Sequence, residues 1–167
     1  SVIDSHEAVG DTTVLVDRAS LVDSMTLLRD DAALRFNFLM DLTAVDYLGR
    51  DPRFEVVYHL ASVDLEPRGT EPARLPRRLR VKVAVPEVPC EVPSLCPVWT
   101  AANWMEREAW DLYGVQFSGH PDLRRLLLYE EFVGHPLRKD YLNNKRQPLV
   151  EERDPIANPW PGTGNPT

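Results

Sequence analysis

Cysteine is scarce: Cys90 and Cys96 are the only two in 167 residues. An iron–sulfur cluster takes four thiolates, so this chain alone cannot hold one. The pair also lacks the short spacing of a zinc knuckle or a redox disulfide motif. Two such thiols beside a proline-rich connector suit a reducing compartment. Long apolar runs are missing as well. The longest, such as Leu126–Leu128, fall far short of the ~20 residues that cross a bilayer. The N-terminus has no signal-like apolar stretch, so membrane association is expected to come through partners. The chain opens on Ser1 rather than Met, and further residues are expected ahead of it. There is no Gly-rich phosphate loop and no nucleophile elbow, so neither NADH nor flavin has an evident cradle. Basic charge is thin, with a formal net charge of -7. Residues 1–66 hold 13 acids against 5 bases, and residues 106–150 balance at 7 and 7. No basic face is large enough to track phosphates, which argues against nucleic acid.

What is present reads as an ordinary globular balance, 43% hydrophobic and 27% charged. Residues 1–16 suggest two short strands around Gly10–Asp11, the second rich in β-branched residues. Leu21, Met25 and Leu28 repeat at helical spacing between about Arg18 and Arg29, with Asp17 or Ser20 as cap. Phe36 to Tyr47 reads as a strand with Phe36, Phe38 and Met40 on one face, and residues 49–52 carry turn chemistry. Phe54 to Val63 is a second strand, with Phe54, Val56, Tyr58 and Leu60 on one face. After a connector holding Pro67, Gly69, Pro72 and Pro76, Leu79, Val81, Val83 and Val85 alternate with Arg80, Lys82 and Ala84. These two strands form a hairpin with a long loop. Prolines 86, 89, 93 and 97 mark a connector without structure of its own. A helix then runs to about Tyr113, with Thr100 or Asn103 as cap and Asn103–Glu106 as a capping box. Gly114 suits the left-handed position that closes it.

Beyond Gly114 the pattern changes. Seven prolines and no sustained periodicity occupy residues 115–167. A structureless stretch this long is uncommon inside a compact domain. Phe117, Leu126, Leu127, Leu128, Phe132 and Tyr141 make residues 115–142 too apolar for a solvated tail. The expected class is therefore α+β. An α/β domain with a mixed sheet and two main helices covers 1–114, an extended partner-binding arm 115–142, and a Pro-rich tail 143–167. The arm contains two Gly-His-Pro bends, at 119–121 and 134–136. Each precedes a basic pair, Arg124–Arg125 and Arg138–Lys139, set to face something acidic.

Glu106, Glu108, Asp111 and His120 lie close enough to suggest a metal or acid–base site. At about 100° per residue, however, Glu106 and Glu108 point roughly 200° apart and cannot share an ion. Glu106 falls on the apolar arc with Met105 and Ala109, where it must cap its helix or bridge to an arginine of the arm. Arg107, Glu108 and Asp111 fall on the polar side, with Arg107 and Asp111 spaced for a surface pair. His120 and His135 read as turn histidines bonded to backbone, and the four tryptophans as core or interface anchors. No catalytic residue, cofactor-binding residue or metal ligand is expected.

Four segments carry a family resemblance: Glu106–Leu127 (EREAWDLYGVQFSGHPDLRRLL), Gly134–Tyr141 (GHPLRKDY), Phe36–Tyr47 (FNFLMDLTAVDY) and Phe54–Leu60 (FEVVYHL). Together they resemble the 30-kDa (C) subunit family of NADH:quinone oxidoreductase, respiratory complex I. The resemblance implies a scaffold subunit of the peripheral arm, without a redox centre, in a complex that carries electrons from NADH to quinone. FMN, the iron–sulfur clusters and quinone would sit in partner subunits. The chief partner implied is the D (49-kDa) quinone-site subunit, with B as a further neighbour; the preferred location is the cytoplasmic side of a bacterial inner membrane, or the mitochondrial matrix side if the source is eukaryotic. Interface residues expected on that basis are Glu106, Trp110, Phe117, His120, Arg124 and Arg125, followed by His135, Arg138, Lys139 and Tyr141. The paired bases would lock onto a partner's carboxylates. Two rivals remain: the homologous subunit of a membrane-bound hydrogenase or NDH-type complex, and a free-standing metalloenzyme built on Glu106, Asp111 and His120.

Overall fold

The computed structural model describes residues 1–8, 10–63, 77–142, 144 and 147. In chain order these form β1 (Val2–Ala8), β2 (Asp11–Val16), a 3-10 turn (Arg18–Ser20), α1 (Leu21–Asp30), β3 (Phe38–Asp46), β4 (Phe54–Ser62), β5 (Arg77–Val85), β6 (Glu91–Pro93), α2 (Ala102–Tyr113) and β7 (Gln116–Ser118). Five strands make a sheet in the order β1-β2-β5-β4-β3. β2 runs parallel to β5 and the other neighbours are antiparallel, so the sheet is mixed and the class is α+β.

Alternation in β4 and β5 builds the core. Val56 pairs with Val83, Tyr58 with Val81 and Leu60 with Leu79. All six point to one face and are buried there, each apolar side chain contributing roughly 1.5–3 kcal/mol. The residues between them carry the other face, where Lys82 pairs with Glu55 at 2.9 Å and Arg80 donates to Thr13 at 3.2 Å. α1 closes one end of the core through Leu21 and Met25, four residues apart on one helical face and fully buried. Asp17 caps the preceding 3-10 turn by accepting from the Ala19 N–H, while Ser20, the N-cap of α1 itself, makes no side-chain capping bond. α2 packs across β3 and contributes Ala102 and Ala109 to the same core.

Three expectations are corrected. In β3 the pairing with β4 shifts between Leu39 and Asp41, leaving Met40 as an extra residue. A bulge of this kind turns the following side chains over to the other face. Leu39, Leu42 and Ala44 therefore point inward, while Phe38 and Met40 are exposed. Next, the proline-rich connector holds a real strand. β6 pairs in parallel with β7, which is possible because Gln116 N–H donates to Cys90 O and Ser94 N–H to Ser118 O, on either side of the proline that lacks a donor. Third, α2 has no side-chain cap. Its N-cap is Ala101, and the turns from Leu95 to Trp99 lead into the helix, with Ala102 N–H donating to Trp99 O. Gly114 does close α2 in the left-handed region, at φ +76. The expectations for the 64–76 connector and the tail beyond Gln147 lie outside the described residues.

The bulge makes a direct test. Leu39 is 2% exposed and Met40 is 44% exposed. In urea unfolding, Leu39→Ala should cost about 2–5 kcal/mol, whereas Met40→Ala should stay within about 0.5 kcal/mol. Equal costs would mean the register is wrong.

Candidate functional site

α2 buries Glu106, Arg107 and Asp111 as well as its alanines, an unusual load of charge for twelve residues. The reason is that both of its faces are covered. One lies on the sheet and the other under the arm, which folds back over the helix. Asp111 organises this contact. Its Oδ1 accepts from Arg125 Nη1 at 2.6 Å, and its Oδ2 accepts from the N–H groups of Leu126, Leu127 and Leu128 at 3.0, 2.8 and 2.9 Å. Successive N–H groups converging on one anionic oxygen form a nest. Burial by itself would raise the Asp111 carboxyl. The Leu128 N–H, the Arg125 guanidinium and the other two N–H groups outweigh it and hold the group below the usual carboxylate range. Arg125 Nη2 donates to the carbonyls of Phe132 and Gly134. Arg107 donates to the carbonyls of Arg124 and Arg125 at 3.2 and 3.1 Å. The surface pair expected between Arg107 and Asp111 therefore does not form, because each reaches separately into the arm.

The second bend docks on the end of the same helix. His135 donates through Nδ1 to the Asp111 carbonyl at 2.9 Å; burial pushes its imidazole down, aided by Arg138 and Arg125 and opposed by that bond. Leu137 N–H donates to Leu112 O and Arg138 Nε to Tyr113 O. Gly114 matters here for a second reason: a Cβ would lie 2.5 Å from the His135 ring and 2.7 Å from Arg138. Past this bend the arm meets an ionic hub. Arg53, buried at the start of β4, grips Asp46 through two bonds of 2.9 Å and reaches Glu87 at 2.6 Å and Asp140 at 2.8 and 3.0 Å. Asp46 also accepts from the Lys139 N–H at 2.8 Å. Arg53 bonding holds the Asp46 and Asp140 carboxyls down, and the Arg53 guanidinium is raised in return, chiefly by Asp46.

Contrary to expectation, Glu106 neither caps its own helix nor meets an arginine of the arm. It reaches instead to the turn ahead of α2, where Ser94 Oγ and the Leu95 N–H both donate to it at 2.6 Å and Cys96 Sγ lies at 3.5 Å. Burial raises its carboxyl and these three donors oppose the rise. His120 accepts from the Asp122 N–H on Nδ1, so its Nε2 carries the proton and donates to Asn103 O at 3.1 Å. Cys96, Glu106 and His120 have ligand atoms within 4.8 Å of one another. Asp111 is not among them, so the set Glu106, Asp111 and His120 is not assembled: five residues further along α2, Asp111 faces the arm instead.

The ten residues named as interface candidates divide by environment. Glu106 and Phe117 lie in the interior of this chain. Trp110 is half-buried and edge-on to His135 at 6.3 Å, and Tyr141 stacks on Phe132 at 6.1 Å. His120, Arg125, His135 and Arg138 are half-buried, with the internal partners given above. Arg124 and Lys139 are exposed, Arg124 beside Asp122 at 3.0 Å. Sequence reading missed the anchoring roles of Asp111, Arg53, Asp46 and Asp140, and the place of Cys96. The one available signal was an acid ending the apolar run of β3 and an arginine opening that of β4, which a turn would bring together.

A family model described as the respiratory-chain NADH dehydrogenase 30 Kd subunit matches residues 14–147. The C subunit of NADH-quinone oxidoreductase from Citrifermentans bemidjiense is 45% identical over 141 residues, covering 84% of this chain and 80% of that protein. The corresponding protein of Geobacter metallireducens is 48% identical over 142 residues, with the same two coverages of 84% and 80%. That of Caulobacter vibrioides is 50% identical over 134 residues, covering 80% of this chain and 62% of the relative. Among solved structures, a trypsin-resistant fragment of Nqo5 is similar with a TM-score of 0.58 and 36% identity, covering 70% of this chain and 86% of the fragment.

Asp111→Asn leaves Arg125 half-buried without its counter-charge, which should cost about 3–5 kcal/mol and strip hydrogen-exchange protection from the amides of 126–128 first. The Asp111 carboxyl is lower in the folded chain than in the unfolded one. Its contribution is therefore complete above the unfolded value of about 3.9 and fades as pH falls through the folded value. Protection factors of those amides should hold at pH 5 to 7 and drop below about pH 4. Protection unchanged in the variant would remove Asp111 from its organising role.

Proposed function

The chain belongs to the 30 Kd subunit family of the respiratory-chain NADH dehydrogenase, and we propose from that premise that it is a scaffold subunit, without a redox centre of its own, in the peripheral arm of proton-pumping NADH:quinone oxidoreductase. In this reading it seats against the D (49-kDa) subunit that forms the quinone site, with B as a further neighbour. FMN, iron–sulfur clusters and quinone are held by other subunits. The relatives are bacterial, which favours the cytoplasmic side of an inner membrane; no described helix is long and apolar enough to cross one. The relatives' names favour this complex over a hydrogenase-type machine.

The observation that carries the reading is the outer face of the arm. Arg125, His135 and Arg138 turn inward to α2 and Asp140 to the hub, while several apolar side chains turn out. Leu127 is 61% and Leu142 68% exposed, with Tyr129, Val133 and Leu137 also exposed between them. A segment tied down by internal hydrogen bonds that shows leucines to water has the character of an interface core. The internal anchoring gives it a fixed shape, so docking costs little ordering entropy. Such a subunit acts on catalysis by position: a site held loosely by its supports loses rate.

Leu127→Asp and Leu137→Asp should leave the isolated chain within about 0.5 kcal/mol of its original stability. In membranes they should reduce assembled complex on native gels, and NADH:quinone turnover should fall in proportion to the amount assembled. A complex assembled in full but silent would contradict the scaffold role.

A further inference from the structure

Among the described residues three carboxylates are deeply buried, and one of them forms no ion pair with a lysine or arginine. Asp111 meets Arg125 at 2.6 Å and Asp46 meets Arg53 at 2.9 Å. Glu106 is 0% exposed, yet its bonding partners are neutral: a hydroxyl, a peptide N–H and a thiol. Among the described residues no lysine or arginine forms an ion pair with it. Buried charges are as a rule paired or bound to a metal. A second orphan shares the interior: the Tyr58 hydroxyl is buried without a hydrogen-bond partner, and the Glu106 charge adds to the burial that keeps its phenol protonated.

Three separate stretches of chain deliver side chains to this point. Cys96 comes from the turn ahead of α2, Glu106 from α2 itself, and His120 from the bend after β7. Their sulfur, oxygen and nitrogen atoms lie within 4.8 Å of one another. We propose that Cys96, Glu106 and His120 form a binding site for a divalent cation of the zinc class. The donor set is the reason for the class. Thiolate, imidazole and carboxylate together suit a borderline-soft ion, whereas calcium and magnesium take oxygen alone. Bonds of about 2.0–2.3 Å draw the donors slightly closer than they stand.

Charge balances. Cys96 binds as thiolate and Glu106 as carboxylate, each passing to water any proton it holds, and His120 binds neutral. Two negative charges then meet two positive ones, and the buried carboxylate gains the partner it lacks. One ring nitrogen of His120 exchanges its present partner for the ion. A water fills the fourth position, as in sites with three protein ligands. The ion would tie the turn before α2, the helix and the beginning of the arm together. It is independent of the scaffold reading, which rests on the outer face of the arm.

The test uses the full chain, stripped with chelator and kept reduced without added thiols. Cadmium is titrated first, because cadmium–thiolate bonds absorb in the ultraviolet, and zinc is then added in competition. One equivalent should bind with that absorption and raise the melting temperature. Cys96→Ser should lose the band, and His120→Gln should weaken binding by at least about tenfold, while Cys90→Ser keeps both band and affinity. His120 is half-buried, so its variant stays informative if a change at Glu106 prevents folding. No band in the original chain overturns the proposal. So does a band that survives Cys96→Ser, or wild-type affinity in a folded His120→Gln.

Discussion

The Asp111 carboxylate is the constraint on which the second half of the molecule depends. The arm has almost no regular structure beyond β7, so only isolated turns, such as Phe132 N–H to Tyr129 O and Tyr141 N–H to Arg138 O, let its peptide groups satisfy one another. Others need partners from elsewhere, and α2 supplies them through Asp111, Arg107 and the carbonyls of its last turn. Leaving one member of such a set unpaired costs about 3–5 kcal/mol, a large share of the 5–15 kcal/mol typical of a whole domain. A helix that buries this much charge makes sense only as a surface built to be wrapped.

Two anchor points give the arm its shape. At the middle of α2, Asp111 and Arg125 close the first loop; at the start of β4, Arg53 gathers Asp46, Glu87 and Asp140. Between them Tyr129, Phe132 and Tyr141 stack edge to face and face to face. The sheet beneath is the rigid base, since both Asp46 and Arg53 lie where β3 passes into β4. With Arg125, His135, Arg138 and Asp140 bonded inward, the arm carries exposed leucines on its outer side. That link from buried charge to exposed apolar face joins the fold to the assembling role proposed for it.

Much of the sheet was legible because alternation is a direct physical signal. Leu79 to Val85 and Phe54 to Leu60 show period two with little ambiguity, and the structure pairs them as expected. The β3 faces were not legible, because a bulge at Met40 reverses the alternation without marking the sequence. β6 was hidden by its own prolines: its bonds come from the residues around Pro93 rather than from Pro93 itself. On α2, helical periodicity correctly put Glu106 with the apolar residues. It could not tell that Arg107 and Asp111 were buried too, since a second covering layer leaves no periodic trace. The arm read as segments too apolar for solvent and too irregular to stand alone. Its internal anchors are side chain-to-backbone bonds spanning about fifteen to twenty-five residues, which no local pattern announces. Cys96 was passed over because only the fold brings it to Glu106.

The most direct measurement is site-specific photo-crosslinking from position 127 inside the assembled respiratory complex. With Leu127 replaced by a photoreactive residue, an arm held by Asp111 against a neighbouring subunit should give crosslinks to that neighbour, lost when Asp111→Asn is added and the arm is released. Crosslinks confined to this chain, or crosslinks to the neighbour that persist unchanged without the Asp111 charge, would contradict it.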